Sequence, residues 1–157
     1  MPAEFVNNRK TVTVYTDGAC RGNPGPGGWA AVIVAPSGDE KVLAGGEKST
    51  TNNRMELSAA LYALRSAPEG YAIKIVSDSK YLVDGIGKGW AAGWKKNGWK
   101  KNGGKPALNS DLWNGILNLL SEREVSFEWV EGHAGHAYNE RCDMIATSFA
   151  DVWKQTL

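Results

Sequence analysis

The sequence predicts an α/β domain on one mixed five-stranded sheet flanked by helices: three antiparallel strands, then two joined through helical crossovers. Three observations carry this expectation. Apolar and polar residues alternate with period two from Val12 to Asp17, and residues 10–46 as a whole read as three strands separated by turn-forming stretches. At Leu57 the period becomes helical. Beyond it the order strand, helix, strand requires parallel pairing, because only a long crossover returns the chain to the same end of a sheet.

The first strand, Val12-Thr-Val-Tyr15-Thr-Asp17, runs into residues 18–28 with five glycines and two prolines. It reads as a strand that delivers Asp17 to a turn. Asp-Gly after a strand is also a common hairpin signal, so this carboxylate is either solvated or used. Residues 29–35 and 41–45 flank the turn Pro36-Ser-Gly-Asp-Glu40 and complete a meander. Leu57, Ala60, Leu61 and Leu64 then mark a helix, with Thr51, Asn52 and Asn53 available as caps and Pro68 and Gly70 to close it. Residues 71–78 form a strand ending in Asp78. Tyr81, Leu82 and Ile86 predict a short helix stopped by Gly85, Gly87 and Gly89. A helix over 112–120, a strand over 124–130, a loop over 131–137 and a last helix over 138–153 complete the chain.

At 157 residues the expectation is a single domain over 1–157, residues 1–9 being a frayed end. Hydrophobic residues make up 42% and charged residues 22%, as in a globular protein, and no membrane partner is expected. No apolar run approaches the roughly 20 residues of a spanning helix, and the opening lacks the apolar core of a secretory signal. Cys20 and Cys142, the two cysteines, suit a reducing compartment and offer no zinc spacing, so a cytoplasmic location is expected.

The formal net charge is only +1, but it is unevenly spread. From Gly85 to Ser110 there are six lysines, no acid, and Trp90, Trp94 and Trp99. Cations neutralise phosphates and flat rings pack on sugars or bases. Trp90 and Trp94, spaced i,i+4, also suit a short helix packing on the core.

Four acids stand at comparable places. Asp17 and Asp78 end predicted strands and converge if those strands are parallel neighbours. Glu56 and Asp143 each lie beside the apolar stripe of a helix, Glu56 at its boundary. Asn53 and Glu56 also suit a variant capping box, and Asp143 suits a helix dipole. Four acids at one edge would repel, and hard divalent metal held by oxygen ligands neutralises them; magnesium is the natural candidate. His133 and His136 have too few soft neighbours for zinc and suit a proton shuttle or an idle loop.

Four blocks together carry a resemblance: Tyr15-Thr-Asp17-Gly18-Ala-Cys20-x-Gly22-Asn23-Pro24-Gly25-Pro26-Gly27-Gly28, Thr50-Thr-Asn-Asn-Arg-Met-Glu56-Leu, Ser77-Asp78-Ser79, and Gly132-His133-Ala-Gly-His136-x-x-Asn139-Glu140-Arg141-Cys142-Asp143. From about Thr11 to Trp153 the chain resembles the type 1 ribonuclease H family. The resemblance implies the ribonuclease H-like fold and cleavage of the RNA strand of an RNA–DNA hybrid by metal-activated water, leaving 5′-phosphate and 3′-hydroxyl ends. It implies two Mg2+ ions, with Mn2+ as a substitute. Asp17 would bridge both, Asp143 would serve the water side, and Glu56 and Asp78 the leaving-group side. Glu56 would also touch a ribose 2′-hydroxyl, and His133 would assist proton transfer or product departure.

For substrate binding the resemblance implies a basic protrusion over residues 88–106, with Lys95, Lys96, Lys100 and Lys101 on the hybrid backbone. Tyr81, Trp90 and Trp94 would line a channel for the DNA strand, Asn23 and Asn52 would contact the RNA minor groove, and Thr51 and Asn109 would hold a DNA phosphate. Where some relatives carry a basic residue two positions before Thr51 this chain has Ser49, so that pocket is expected to be weaker unless Lys48 substitutes. A monomer without an obligate protein partner is expected. Two other readings stay open: a non-catalytic hybrid-binding module, and a DNA-acting enzyme on the same fold.

Overall fold

Alternation along the first strands sorts side chains onto the two faces of one sheet. A computed structural model describes residues 10–132 and 136–155. In it β1 (Thr11–Cys20), β2 (Gly25–Val34) and β3 (Glu40–Thr50) form an antiparallel meander. Strands β4 (Ala72–Ser77) and β5 (Val125–Trp129) add in parallel, giving the order β3-β2-β1-β4-β5. The mixed five-stranded sheet expected from the pattern is the one observed.

Five helices complete the described chain: α1 (Asn52–Ser66), α2 (Lys80–Gly87), α3 (Trp90–Lys96), α4 (Ser110–Leu120) and α5 (Ala137–Gln155). Val12, Val14, Ala31 and Ile33 face one side and pack with Leu57, Leu61 and Leu64 of α1 and with Trp113 and Ile116 of α4. Ala30 and Val32 face the other and pack with Cys142 and Ala146 of α5. Each large aliphatic side chain so buried contributes about 1.5–3 kcal/mol, which makes the α1 side the main source of cohesion. No helix among the described residues is long and apolar enough to cross a membrane.

Several boundaries differ from the sequence expectation. Strand β1 does not stop at Asp17 but continues to Cys20, because β2 starts at Gly25 and keeps pairing, Asp17 opposite Ala30. Gly85 does not end α2; it lies inside, where a Cβ would come 2.4 Å from the Trp113 ring, so the residue serves close packing. The pair Trp90 and Trp94 does form a short helix, with Ala91 buried and Trp94 against the core, while Trp90 stays 44% exposed.

Candidate active site

Sheet register sets the first two acids side by side. The last parallel pair of β1 and β4 is Tyr15 with Val76, and two residues further along each chain stand Asp17 and Asp78. Strand β4 ends at Ser77, so Asp78 leaves the sheet where Asp17 is still held by β2. The turn after β4 is fixed by Ser79, whose amide donates to Ser77 Oγ at 3.0 Å and whose hydroxyl caps α2 by accepting from the Leu82 amide. Trp129 Nε1 donates to the Asp78 carbonyl at 3.0 Å.

Glu56 arrives from above the strand ends on α1. Its helix starts at Asn52 because Thr51 is the N-cap, its hydroxyl accepting from the Arg54 amide at 3.2 Å. The capping box on Asn53 is therefore not formed. Glu56 is not at a boundary either: it is 7% exposed, its carboxyl set against the end of β1 beside Asp17 and Gly18. Its Oε1 accepts from the Gly18 amide at 2.8 Å, and the same amide approaches Asp17 Oδ1 at 2.9 Å. That contact depends on Gly18, where a Cβ would lie 2.6 Å from the Glu56 nitrogen.

One ligand atom each from Asp17, Glu56 and Asp78 lies within 4.8 Å of the others. Asp143, in the second turn of α5, lines the same open cleft of about 360 Å³. Three acids are thus clustered tightly, and the fourth borders the cluster. Burial pushes the Asp17 carboxyl up to about 7, helped by the charges of Asp78 and Asp143 and opposed by hydrogen bonds from Glu56 and Gly18. Burial, then the adjacent Asp17, pushes Glu56 well above the usual carboxylate range.

A divalent cation fits this donor set. Glu56 Oε2 is buried without a hydrogen-bond partner, a state that costs about 1–3 kcal/mol when nothing compensates it. Clustered carboxylate oxygens are the ligands hard cations take.

The remaining candidates fall into three groups. Asn23 Oδ1 accepts from the Asn52 amide at 2.9 Å, so these two sit together at the cleft rim. Asn109 is tied to Tyr81, its Nδ2 donating to the Tyr81 hydroxyl at 3.4 Å, and its Oδ1 accepts from Arg54 Nη1 at 3.5 Å. Arg54 also pairs with Asp111 through both terminal nitrogens, at 3.0 and 2.7 Å, so it links the Thr51 cap to Asn109. Lys48 does not join Thr51 and Asn109. Its Nζ lies 5.7 Å from the Trp153 ring centroid, across the sheet on the α5 side.

In the basic segment, residues 100–106 fold back through a bridge between Lys100 and Pro106 and leave a groove of about 550 Å³ lined by Trp90, Trp94, Lys100 and Lys101. Lys101 Nζ stands 5.4 Å from the Trp94 ring, while Lys95 Nζ donates to Asn118 Oδ1 at 3.1 Å. Lys96 and Lys100 are exposed. His133 lies outside the described residues; His136 is exposed, and its carbonyl accepts from the Glu140 amide at the start of α5.

Two residues that sequence reasoning did not single out belong to the site. Lys80 lines the acid cleft with its Nζ 4.8 Å from the Trp129 ring. Gly18 sets how close α1 comes, and only its place directly after Asp17 hinted at that.

A family model described as RNase H matches residues 9–151. The chain belongs to the ribonuclease H family. As a ribonuclease H it is an endoribonuclease, and its acid cleft suits a divalent-metal-dependent family. It is 50% identical to the ribonuclease H of Erythrobacter litoralis over 143 residues, 91% of this chain and 98% of that one. With the ribonuclease H of Ralstonia nicotianae it shares 49% over 146 residues, 93% and 95% of the two chains.

Among solved structures this ribonuclease H is similar to LC9-RNase H1, described as a type 1 RNase H with the type 2 active-site motif. The TM-score is 0.79 at 32% identity, covering 92% of this chain and 74% of that one. LC11-RNase H1, solved in complex with an RNA/DNA hybrid, shares the fold at 23% identity, TM-score 0.67, covering 90% and 97% of the two chains.

Proposed function

We propose that this ribonuclease H hydrolyses the RNA strand of RNA–DNA hybrids with two Mg2+ ions, leaving 5′-phosphate and 3′-hydroxyl ends. The observation that carries the proposal is the convergence of Asp17, Glu56 and Asp78 from three separate elements, with one Glu56 oxygen buried and unpartnered. A non-catalytic binding module has no use for such a costly arrangement of like charges. When bound, the two ions would activate the attacking water and neutralise charge on the leaving oxygen, and Mn2+ would substitute.

The side chains then divide the work. Asp17, central in the cluster, would be shared by the two ions; Asp143 would serve the one that activates water, and Glu56 and Asp78 would serve the leaving-group side. Glu56 accepts from a ribose 2′-hydroxyl, the group by which RNA differs from DNA. His133 takes or returns a proton near the departing strand. Asn23 and Asn52, already bonded to each other, offer their amides to the RNA minor groove. Thr51 and Asn109 hold a DNA phosphate at the N-terminus of α1, with Arg54 fixing Asn109. Tyr81, Trp90 and Trp94 take the DNA strand, and Lys95, Lys96, Lys100 and Lys101 take backbone charge. The enzyme acts as a single-domain cytoplasmic monomer.

The test is cleavage of an end-labelled hybrid with Mg2+, with duplex DNA as the control substrate. RNA-strand cuts are expected for the wild type, with a loss of at least about a hundredfold in Asp78→Asn, since a metal-ligand carboxylate acts on the transition state directly. Tight binding without cuts would favour the binding module, and cuts in duplex DNA would favour the DNA-acting enzyme.

A second expectation concerns the lysines. Lys96→Ala, Lys100→Ala and Lys101→Ala should each reduce the slope of log K against log salt by about one and weaken binding alike across hybrid sequences. Lys95→Ala should do less, because that ammonium is already tied to Asn118. Equal slopes in all four variants and the wild type would remove these lysines from the phosphate path.

A further inference from the structure

The four acids of the cleft are not held in place equally well. Asp17 and Asp78 are set by sheet register, and Glu56 by a buried helix and the Gly18 amide. Asp143 depends on where α5 sits as a body. The seat of α5 on the sheet is made of Cys142, Ala146 and Ala150, all buried, against Gly28, where a Cβ would come 2.1 Å from the Ala146 carbonyl oxygen. Small side chains on glycine give a close contact with shallow ridges, which resists separation but resists sliding along the helix axis far less.

Side chains at the first turn of α5 oppose that sliding. Tyr138 stacks on Tyr15 of β1, centroids 4.6 Å apart and planes 16° apart. Its hydroxyl donates to Glu40 Oε2 at 3.0 Å, and Arg141 Nη1 donates to Glu40 Oε1. Both oxygens of one carboxylate at the start of β3 are thus engaged by α5, and Asp143 follows Arg141 by two residues. We propose that Glu40 is a positioning residue, holding α5 at the axial height that brings Asp143 to the acid cleft. The proposal rests on the assignment of Asp143 to the metal site above.

The same helix carries its own control. Asp151 accepts from Arg21 at 2.9 and 3.3 Å, an ion pair of similar exposure placed eight residues beyond Asp143. A mere loss of surface ion pairing would affect both ends alike.

The experiment compares Glu40→Ala, Glu40→Gln, Tyr138→Phe and Asp151→Asn in the full chain, measuring kcat and KM on a hybrid and Mg2+ binding by calorimetry without substrate. Glu40→Ala should lower kcat about tenfold and weaken Mg2+ binding about fivefold with KM within about twofold, as expected for a misplacement of under 1 Å. Glu40→Gln, whose amide oxygen can still accept from Arg141 while its NH2 can donate to the Tyr138 hydroxyl, should recover part of each loss. Asp151→Asn should keep wild-type kcat and metal affinity even where its melting temperature falls as far.

A folded Glu40→Ala protein with wild-type kcat and Mg2+ affinity would overturn the proposal, as would equal damage in Asp151→Asn. Should Glu40→Ala not fold, Tyr138→Phe decides: a loss of about threefold in Mg2+ affinity supports the latch, and no change overturns it. If the wild type itself fails to cut hybrids while Mg2+ affinity still follows this order, the functional reading falls and the positioning role stands.

Discussion

Asp17→Asn should fold, lose hybrid cleavage by a factor of at least about a thousand, and melt higher than the wild type when no divalent metal is present. The first two effects follow from its central place among the acids. The third follows from the electrostatics. The Asp17 carboxyl is raised from 3.8 to about 7 in the folded chain, so the folded state binds the proton more tightly than the unfolded one.

The stability this proton confers is present below about pH 4 and is lost as pH rises towards 7. The neutral amide escapes the loss. In chelator at pH 8 the variant should therefore be more stable by about 2 kcal/mol, roughly 4–8 °C at this chain length, and the two proteins should converge near pH 4. Added Mg2+ should raise the melting temperature of the wild type at pH 8 and hardly move the variant. Appreciable turnover of Asp17→Asn at saturating metal would remove the bridging role, and a lower metal-free melting temperature would contradict the burial argument.

Gly18→Ala is the second large effect, and it replaces no acid. A methyl group there would lie 2.6 Å from the Glu56 nitrogen, 2.7 Å from the Met55 carbonyl carbon and 2.8 Å from Met55 Cβ. Two of these are backbone atoms that no rotamer change can move aside. Helix α1 has to retreat, stretching the bond from the Gly18 amide to Glu56 Oε1. Overpacking of this kind costs about 1–3 kcal/mol of stability, and a displacement near 1 Å at a reacting centre costs about a hundredfold in rate. The variant should therefore lose kcat far more than its modest fall in melting temperature suggests. A kcat within about threefold of the wild type would show that α1 can shift without moving Glu56.

Much of this molecule is legible in its amino-acid order, for reasons local to each segment. Period-two alternation specifies which face of β1 each side chain takes, and the structure places Val12 and Val14 on the α1 side and Tyr15 on the α5 side accordingly. The return of strands after helices requires β1 and β4 to run parallel, and from that the proximity of Asp17 and Asp78 follows. The four separated motif blocks pointed to the family before any geometry was known.

Other features have no local signature. Glu56 looked like a boundary residue because a helical stripe shows only its own buried side, and it takes the distant end of β1, with Asp17 and Gly18, to cover the carboxyl. Gly85 looked like a stop because glycine opposes helix wherever nothing packs on it; Trp113, 28 residues away, reverses that. Lys48 sits three residues from Thr51, yet strand geometry sends it to the opposite face of the sheet, over Trp153.

By itself the sequence determined the faces of β1, the sheet's mixed topology and the family, and it singled out the four acids as candidates. Only the tertiary structure decided how deeply those acids are buried, which of them meet within 4.8 Å, and that Glu40 at the start of β3 is engaged by both Tyr138 and Arg141 of a helix seated on alanine and glycine. The division is physical. Periodicity and turn chemistry act over a few neighbouring residues and can be read one segment at a time, whereas burial and charge coupling depend on which distant segments arrive on the far side.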